Sequence, residues 1–160
     1  MAAVKQKPVL IIVQGFLGAG KTTFSKNLAK EENAVRMNAD EWCFENFLTE
    51  ELEANWDGCF AQAVQTIWQS AEELLAQGKN VVMDLGFWSL PSREHAREVA
   101  QAAHAAFRHY YVYAPDEILI SRLKQRQGAI AESNLARFEE IKKSFEEPLP
   151  DEQAIKVDNF

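Results

Sequence analysis

Gly15, Gly18, Ala19, Gly20, Lys21, Thr22 and Thr23 stand in one run, Gly15-Phe16-Leu17-Gly18-Ala19-Gly20-Lys21-Thr22-Thr23, with the spacing G-x-x-x-x-G-K-[ST]. The glycines let the backbone curl until successive N–H groups point into one cavity, where they cradle phosphate oxygens. A helix starting at Lys21 adds its positive dipole end to the same cavity. Lys21 has the reach to hold β- and γ-phosphates, and the Thr22 hydroxyl is placed to ligate Mg²⁺. The bland alternative is a glycine turn joining a strand to a helix.

Phosphate-loop chemistry needs acidic partners, and two aspartates follow strand-like runs. Asp84 ends Asn80-Val81-Val82-Met83, where a carboxylate orients Mg²⁺ through its water shell; a local turn cap is the alternative. Asp40 follows Ala34-Val35-Arg36-Met37-Asn38-Ala39 and has two readings, a base that takes a proton from an acceptor hydroxyl or an N-cap for the next helix. Arg122 and Arg126 lie four apart on one helix face before Gln127-Gly128. They read as a closing pair that stabilises charge on transferring phosphate, or as a solvated face. Arg93 and Arg97 repeat that spacing beyond Asp84, and point to acceptor or phosphate contacts or to another solvated face. His95, His104 and His109 lack metal-site spacing and read as solvated or structural.

These residues need an alternating scaffold to bring them together. Strands are expected at 8–14, 34–37, 80–84, 108–113 and, at an edge, 154–157. Helices are expected at 21–31, over 41–77 with a break near Asp57-Gly58, at 91–106, 116–126 and 132–146. Phe60, Val64, Ile67, Trp68, Ala71, Leu74 and Leu75 form one apolar stripe. Alternation of strand and helix predicts an α/β layered fold with a parallel sheet, whose active groups collect at the carboxyl ends of the strands. Trp42, Phe44, Trp56, Phe87 and Trp88 flank the two aspartates and read as acceptor-pocket lining or as core.

The chain of 160 residues suits one domain spanning 1–160, with a lid at about 122–134. Its net charge of −7 disfavours a broad nucleic-acid surface. Cys43 and Cys59 lack metal or redox spacing and read as free thiols in a reducing, cytoplasmic setting. No apolar run is long enough to span a membrane. Glu41, Glu45, Glu50, Glu51, Glu53 and Asp57 would suit a cationic acceptor, or are a solvated helix face.

The segments Gly15–Thr22, Asn38–Glu41, Asp84–Arg93 and Arg122–Arg126 resemble those of the small P-loop kinases, above all the zeta-toxin and chloramphenicol-phosphotransferase-like ATP-binding proteins. Gluconate kinase and polynucleotide 5′-kinase domains are related to that group. The resemblance implies five parallel strands in order 2-3-1-4-5, ATP and Mg²⁺ as cofactors, and Asp40 as general base. It also implies that Arg122 lies by adenine and Arg126 by the phosphates. Several such relatives carry Arg three residues after the base, where this chain has Cys43, so their acceptor contacts do not transfer. The expected activity is γ-phosphoryl transfer to a hydroxyl of a small molecule. A polynucleotide 5′-hydroxyl kinase and a nucleotide-dependent switch with slow hydrolysis are the alternatives. Acceptor identity and oligomeric state stay open.

Overall fold

A computed structural model describes residues 6–160. Five strands, β1 (Val9–Gln14), β2 (Ala34–Asn38), β3 (Asn80–Gly86), β4 (Ala106–Tyr113) and β5 (Ile155–Asp158), pair in parallel in the order β2-β3-β1-β4-β5. This is a P-loop kinase-like α/β sheet in the expected order. The intervening helices are α1 (Lys21–Glu31), α2 (Ala39–Asn46), α3 (Thr49–Ala54), α4 (Trp56–Ala76), α5 (Leu90–Ala102), α6 (Asp116–Lys124), α7 (Ala129–Ala136) and α8 (Phe138–Lys142).

Every residue of β1 is buried, because helices cover both faces of a parallel sheet. Its side chains alternate between two cores. Leu10 and Ile12 join Ala63, Ile67, Ala71, Leu75, Ala96 and Val99 from α4 and α5. Val9, Ile11 and Val13 join Leu28, Leu119, Leu123 and Phe138 from α1, α6 and α8. The apolar stripe of α4 packs as expected, with Phe60, Val64 and Leu74 at its partly buried margin. Among the described residues no helix is long and apolar enough to cross a membrane.

The helical stretch after Asp40 breaks earlier than the sequence suggests. Phe47 leaves α2 in extended backbone, and Asn55 starts α4 by accepting the Gly58 N–H at 3.1 Å. Asp57 and Gly58 therefore sit inside the first turn of α4, where the Asn55 side chain folds over the bare Cα of Gly58. The stretch 132–146 likewise divides into α7 and α8, and β4 begins two residues earlier than expected.

Arg93 corrects both of its sequence readings. It contacts neither solvent nor the cleft: its side chain is 0% exposed and pairs with Glu152 through Nε (2.8 Å) and Nη2 (3.0 Å). Its Nη1 donates to Phe87 O (3.0 Å) and Glu146 O (3.2 Å). Arg97 donates to Glu152 Oε1 at 2.8 Å, so this pair of arginines fastens residues 146–152 beneath α5. Burial alone would raise the Glu152 carboxyl. Hydrogen bonds from Arg93, the Leu149 N–H and Arg97 outweigh it and hold the carboxyl at about 2. Removing one partner of such a buried pair strands the other charge and costs about 3–5 kcal/mol.

His109 is buried in the same region and structural, one of its two expected roles. Its Nε2 lies 2.7 Å from Gln14 Oε1, whose amide is oriented by donation from Nε2 to Glu146 O (2.8 Å). The oxygen only accepts, so Nε2 carries the imidazole proton. Burial pushes His109 down from 6.5 to about 4, with Glu152 opposing and Arg97 and Arg93 assisting. In the unfolded chain the ring takes a proton near 6.5, which the folded protein refuses until about 4. Stability therefore falls as pH drops through that window. Denaturant titration should show a loss of about 3 kcal/mol attributable to this group between pH 7 and pH 4, absent in His109→Gln. Equal pH dependence in the two proteins would refute the assignment.

Candidate active site

Residues 15–20 connect the carboxyl end of β1 to α1 at the centre of the sheet. Gly18 (φ 83°) and Gly20 (φ 95°) adopt left-handed backbone that side-chain-bearing residues resist. Gly15 is required by space: a Cβ there would lie 2.9 Å from both Lys21 Cγ and Val112 O.

Four of the loop's carbonyls accept hydrogen bonds from side chains. Trp88 Nε1 donates to Gly15 O (3.1 Å) and Lys21 Nζ to Phe16 O (3.2 Å). Arg122 Nη1 donates to Gly18 O (3.0 Å) and Ala19 O (3.3 Å), and Asn159 Nδ2 donates to Ala19 O (2.8 Å). Arg122 Nη2 also donates to Asn159 O (2.6 Å), which locks α6 and the stretch after β5 to each other. Arg122 thus grips loop backbone. Trp88 and Phe16 pack ring to ring at 5.0 Å, so Trp88 supports the loop, while Phe87 is core. Trp42, Phe44 and Trp56 lie over α2 and α4, with Phe44 59% exposed.

Asp84 lies opposite Asn38 in the β2–β3 pairing. Between Met83 and Gly86, β3 carries one residue more than β1, a bulge that re-aims side chains beside the loop. The Asp84 side chain is 1% exposed. Its Oδ2 accepts from Ser25 Oγ (2.9 Å), Arg36 Nη2 (3.1 Å) and Asn38 Nδ2 (3.1 Å). Its Oδ1 is buried with no hydrogen-bond partner. A buried carboxylate oxygen rarely stays unpaired without a further role.

Asn38 also settles a second ambiguity. Its Oδ1 accepts the Glu41 N–H at 2.8 Å, so Asn38 is the N-cap of α2 and Asp40 is not. Among the described residues the Asp40 carboxylate has no hydrogen bond or ion pair of its own. Asp40 is exposed, yet the protein around its carboxyl still desolvates it enough to push it above its ordinary range. Lys21 and Arg126 pull it down, and Asp84 and Glu41 push it up. Burial likewise lowers the half-buried Lys21 ammonium, against the pull of Asp84 and Asp40 and with help from Arg126. The structure therefore brings Lys21, Asp40, Asp84 and Arg126 into one electrostatic cluster. Arg126 is exposed, between α6 and α7. Thr22 and Thr23 are exposed on the first turn of α1.

Three contributors escaped sequence reasoning. Arg36 and Asn38 share one face of β2, a period-2 signal that singles them out only once Asp84 is known to sit opposite. Asn38 and Glu41 have the N-x-x-E spacing of a helix start. Asn159 gives no local signal, since its partners lie more than thirty residues away. Cys43 is fully buried on α2, its thiol pushed up to about 11 by burial and by Asp40 and Cys59. Glu45, Glu50, Glu51, Glu53 and Asp57 are all exposed, whereas Glu41 accepts from Arg36 at 2.7 Å.

The chain overlays on a sugar kinase from Janibacter sp. HTCC2649 with TM-score 0.69 and 18% identity, over 96% of this chain and 86% of that one. It overlays on a gluconokinase from Sinorhizobium meliloti 1021 with TM-score 0.66 and 19% identity, over 96% and 83%. Chaetomium thermophilum Kti12 in complex with ADP-AlF3 matches with TM-score 0.67 and 16% identity, over 93% and 88%. At these identities the likeness is one of fold, a kinase-like P-loop fold. No curated protein matches by sequence. The family model described as AAA domain, AAA_33, matches residues 10–148, which take in the loop, both aspartates and both arginines of α6 and its exit, and the chain belongs to that family.

Proposed function

We propose that the protein is an ATP- and Mg²⁺-dependent phosphotransferase that moves the γ-phosphoryl group to a hydroxyl of a small molecule. The observation that carries this reading is the Asp40 carboxylate, relieved of capping by Asn38 and raised above its ordinary range beside the Lys21 ammonium. A carboxylate with nothing structural to do, at the carboxyl edge of the sheet, suits proton acceptance.

In this mechanism the loop amides and Lys21 hold the β- and γ-phosphates. Thr22 and Asp84 would hold Mg²⁺, which when bound neutralises charge on the phosphate oxygens. Asp84 Oδ1 and the exposed Thr22 hydroxyl fit such an ion. Magnesium keeps several waters and needs few protein ligands, so the site requires no cage of carboxylates. The acceptor oxygen bonds to the γ-phosphorus as the bond to the β–γ bridging oxygen breaks. Asp40 takes the hydroxyl proton, and ADP leaves with the bridging oxygen. Arg126 closes over the transferring group, while Arg122 and Asn159 keep the loop in shape.

Two features weigh against the polynucleotide alternative. Where several relatives carry an arginine, Cys43 is a buried thiol and offers no cation. Between Arg36 and Lys79 the chain has nine carboxylates and no lysine or arginine. This stretch forms α2, α3 and α4 beside Asp40, and offers no cation of its own to a polyanionic strand. Neighbours described as a sugar kinase and a gluconokinase agree with a hydroxyl acceptor of small size.

Lys21→Ala should abolish phosphoryl transfer from ATP across a library of hydroxyl acceptors. Asp40→Asn should keep ATP affinity within about threefold by calorimetry and lose transfer by about 10²–10⁴-fold. Full transfer by Asp40→Asn would rule out its role as base. Uniform slow hydrolysis that no acceptor accelerates would identify a switch instead.

Asn159→Ala, which removes the amide donor to Ala19 O but keeps the backbone carbonyl that Arg122 bonds, should weaken ATP binding about tenfold with little change in the rate at saturation. A change confined to that rate would contradict a loop-holding role.

A further inference from the structure

Arg36 has no part in the phosphotransfer scheme above, yet all three of its guanidinium nitrogens are bonded beside the loop. Its Nε donates to Ser25 Oγ (2.7 Å), its Nη1 to Glu41 Oε2 (2.7 Å) and its Nη2 to Asp84 Oδ2 (3.1 Å). The side chain is only 12% exposed. Ser25 is fully buried on α1, and its hydroxyl lies within hydrogen-bond distance of Asp84 Oδ2 (2.9 Å) and Thr22 O (3.1 Å). A single guanidinium plane therefore ties together β2, β3, α1 and α2 around one carboxylate oxygen.

The asymmetry of that carboxylate is the informative feature. Three donors converge on Oδ2, and Oδ1 has none among the described residues. If Arg36 served only to neutralise a buried charge, a partner shared between both oxygens would do as well. With Oδ2 pinned from three directions, the carboxylate plane cannot turn, and the position of Oδ1 is fixed with it. Because Ser25 lies three residues after Thr22 on α1, its donation to Asp84 ties the turn that carries the Thr22 hydroxyl to the carboxylate.

We infer that Arg36 is a positioning residue that holds Asp84 so that Oδ1 is presented to a nucleotide-bound divalent cation. The inference rests on the reading of Asp84 as a metal carboxylate and goes beyond it by naming what sets the geometry. Ligand-orienting groups of this kind are worth about 10–100-fold in metal affinity. Arginine suits the task because its planar fork spans Ser25, Glu41 and Asp84 together, which an ammonium cannot.

The test is the Mg²⁺ dependence of ADP binding, read by calorimetry with and without the metal, so that no turnover is needed. In the wild-type protein Mg²⁺ strengthens ADP binding, and Asp84→Asn loses that gain. Arg36→Met should cut the gain about tenfold while metal-free ADP affinity changes less than about twofold. The double variant should match Asp84→Asn alone, since both substitutions act through one carboxylate. An unchanged gain in Arg36→Met overturns the inference, as do additive losses in the double variant. A larger gain overturns it too, because Arg36 would then be a competitor of the metal. If Arg36→Met does not fold, Arg36→Lys and Glu41→Gln take its place, each expected to lose part of the gain, and an unchanged gain in both overturns the inference. Absence of any Mg²⁺ effect in the wild-type protein removes the metal reading and this inference together. A normal effect, lost in Asp84→Asn but intact in the Arg36 variants, removes this inference alone.

Discussion

A loop that turns its N–H groups into one cavity must turn its carbonyls away from it, and each outward carbonyl needs a donor. Around residues 15–19 those donors come from every side of the fold. Trp88 arrives from just beyond β3, Lys21 from α1, Arg122 from α6 and Asn159 from beyond β5. Only Arg122 bonds two of the carbonyls, and it also holds Asn159. The loop's shape is thus a property of the assembled sheet and helices. Strand order matters for the same reason: with β1 central, elements on both sides come within reach of one backbone turn.

Charge inside the site follows a similar logic. A buried carboxylate is tolerated only with donors around it, and Asp84 has three on one oxygen. Lys21 is tolerated because two carboxylates offset its desolvation in part. Asp40 is the exception, a carboxylate that crowding disfavours and that no structural bond repays. Such uncompensated groups concentrate where chemistry is done. Glu152 and His109 are perturbed as strongly, yet Glu152 is bonded by Arg93, Arg97 and the Leu149 N–H, while His109 is held by Gln14 with its Nδ1 buried and unpaired. Neither perturbation nor an unpaired atom alone separates a functional group from a structural one; placement beside the loop does.

The parts of this arrangement written in local spacing were legible from the sequence. The loop, the five strands and the stripe of α4 all depend on residues within a few positions of one another. Much of what could not be read depended on pairings across more than thirty residues. Arg93 and Arg97 have the same spacing as Arg122 and Arg126, but Glu152, fifty-nine residues from Arg93, decides that the first pair is structural. Arg122 was expected by the adenine; its contacts to the loop's carbonyl oxygens, more than a hundred residues away, were not legible. Helix boundaries between 41 and 60 slipped because Asn55 caps more strongly than Gly58 breaks: its side chain satisfies a first-turn N–H, whereas a glycine inside a helix costs about 1 kcal/mol.

The two networks also bound the segment that carries Arg126. Before it, Arg122 and the buried Leu123 fix α6 to the loop. After it, Phe138 packs edge-on against Phe16 at 5.4 Å, and Lys142 lies 4.7 Å from the Phe16 ring centroid. Beyond that, Glu146 is bonded through its N–H to Trp88 O, through its carbonyl to Gln14 and Arg93, and through its carboxylate to the Leu90 N–H. Between Leu123 and Phe138 no residue is buried, α7 included. The cost of opening a segment scales with the apolar surface it buries, so this stretch can change conformation while both of its ends stay fastened to the loop. The closure proposed for Arg126 requires a stretch of this kind, one that moves without disturbing the loop backbone.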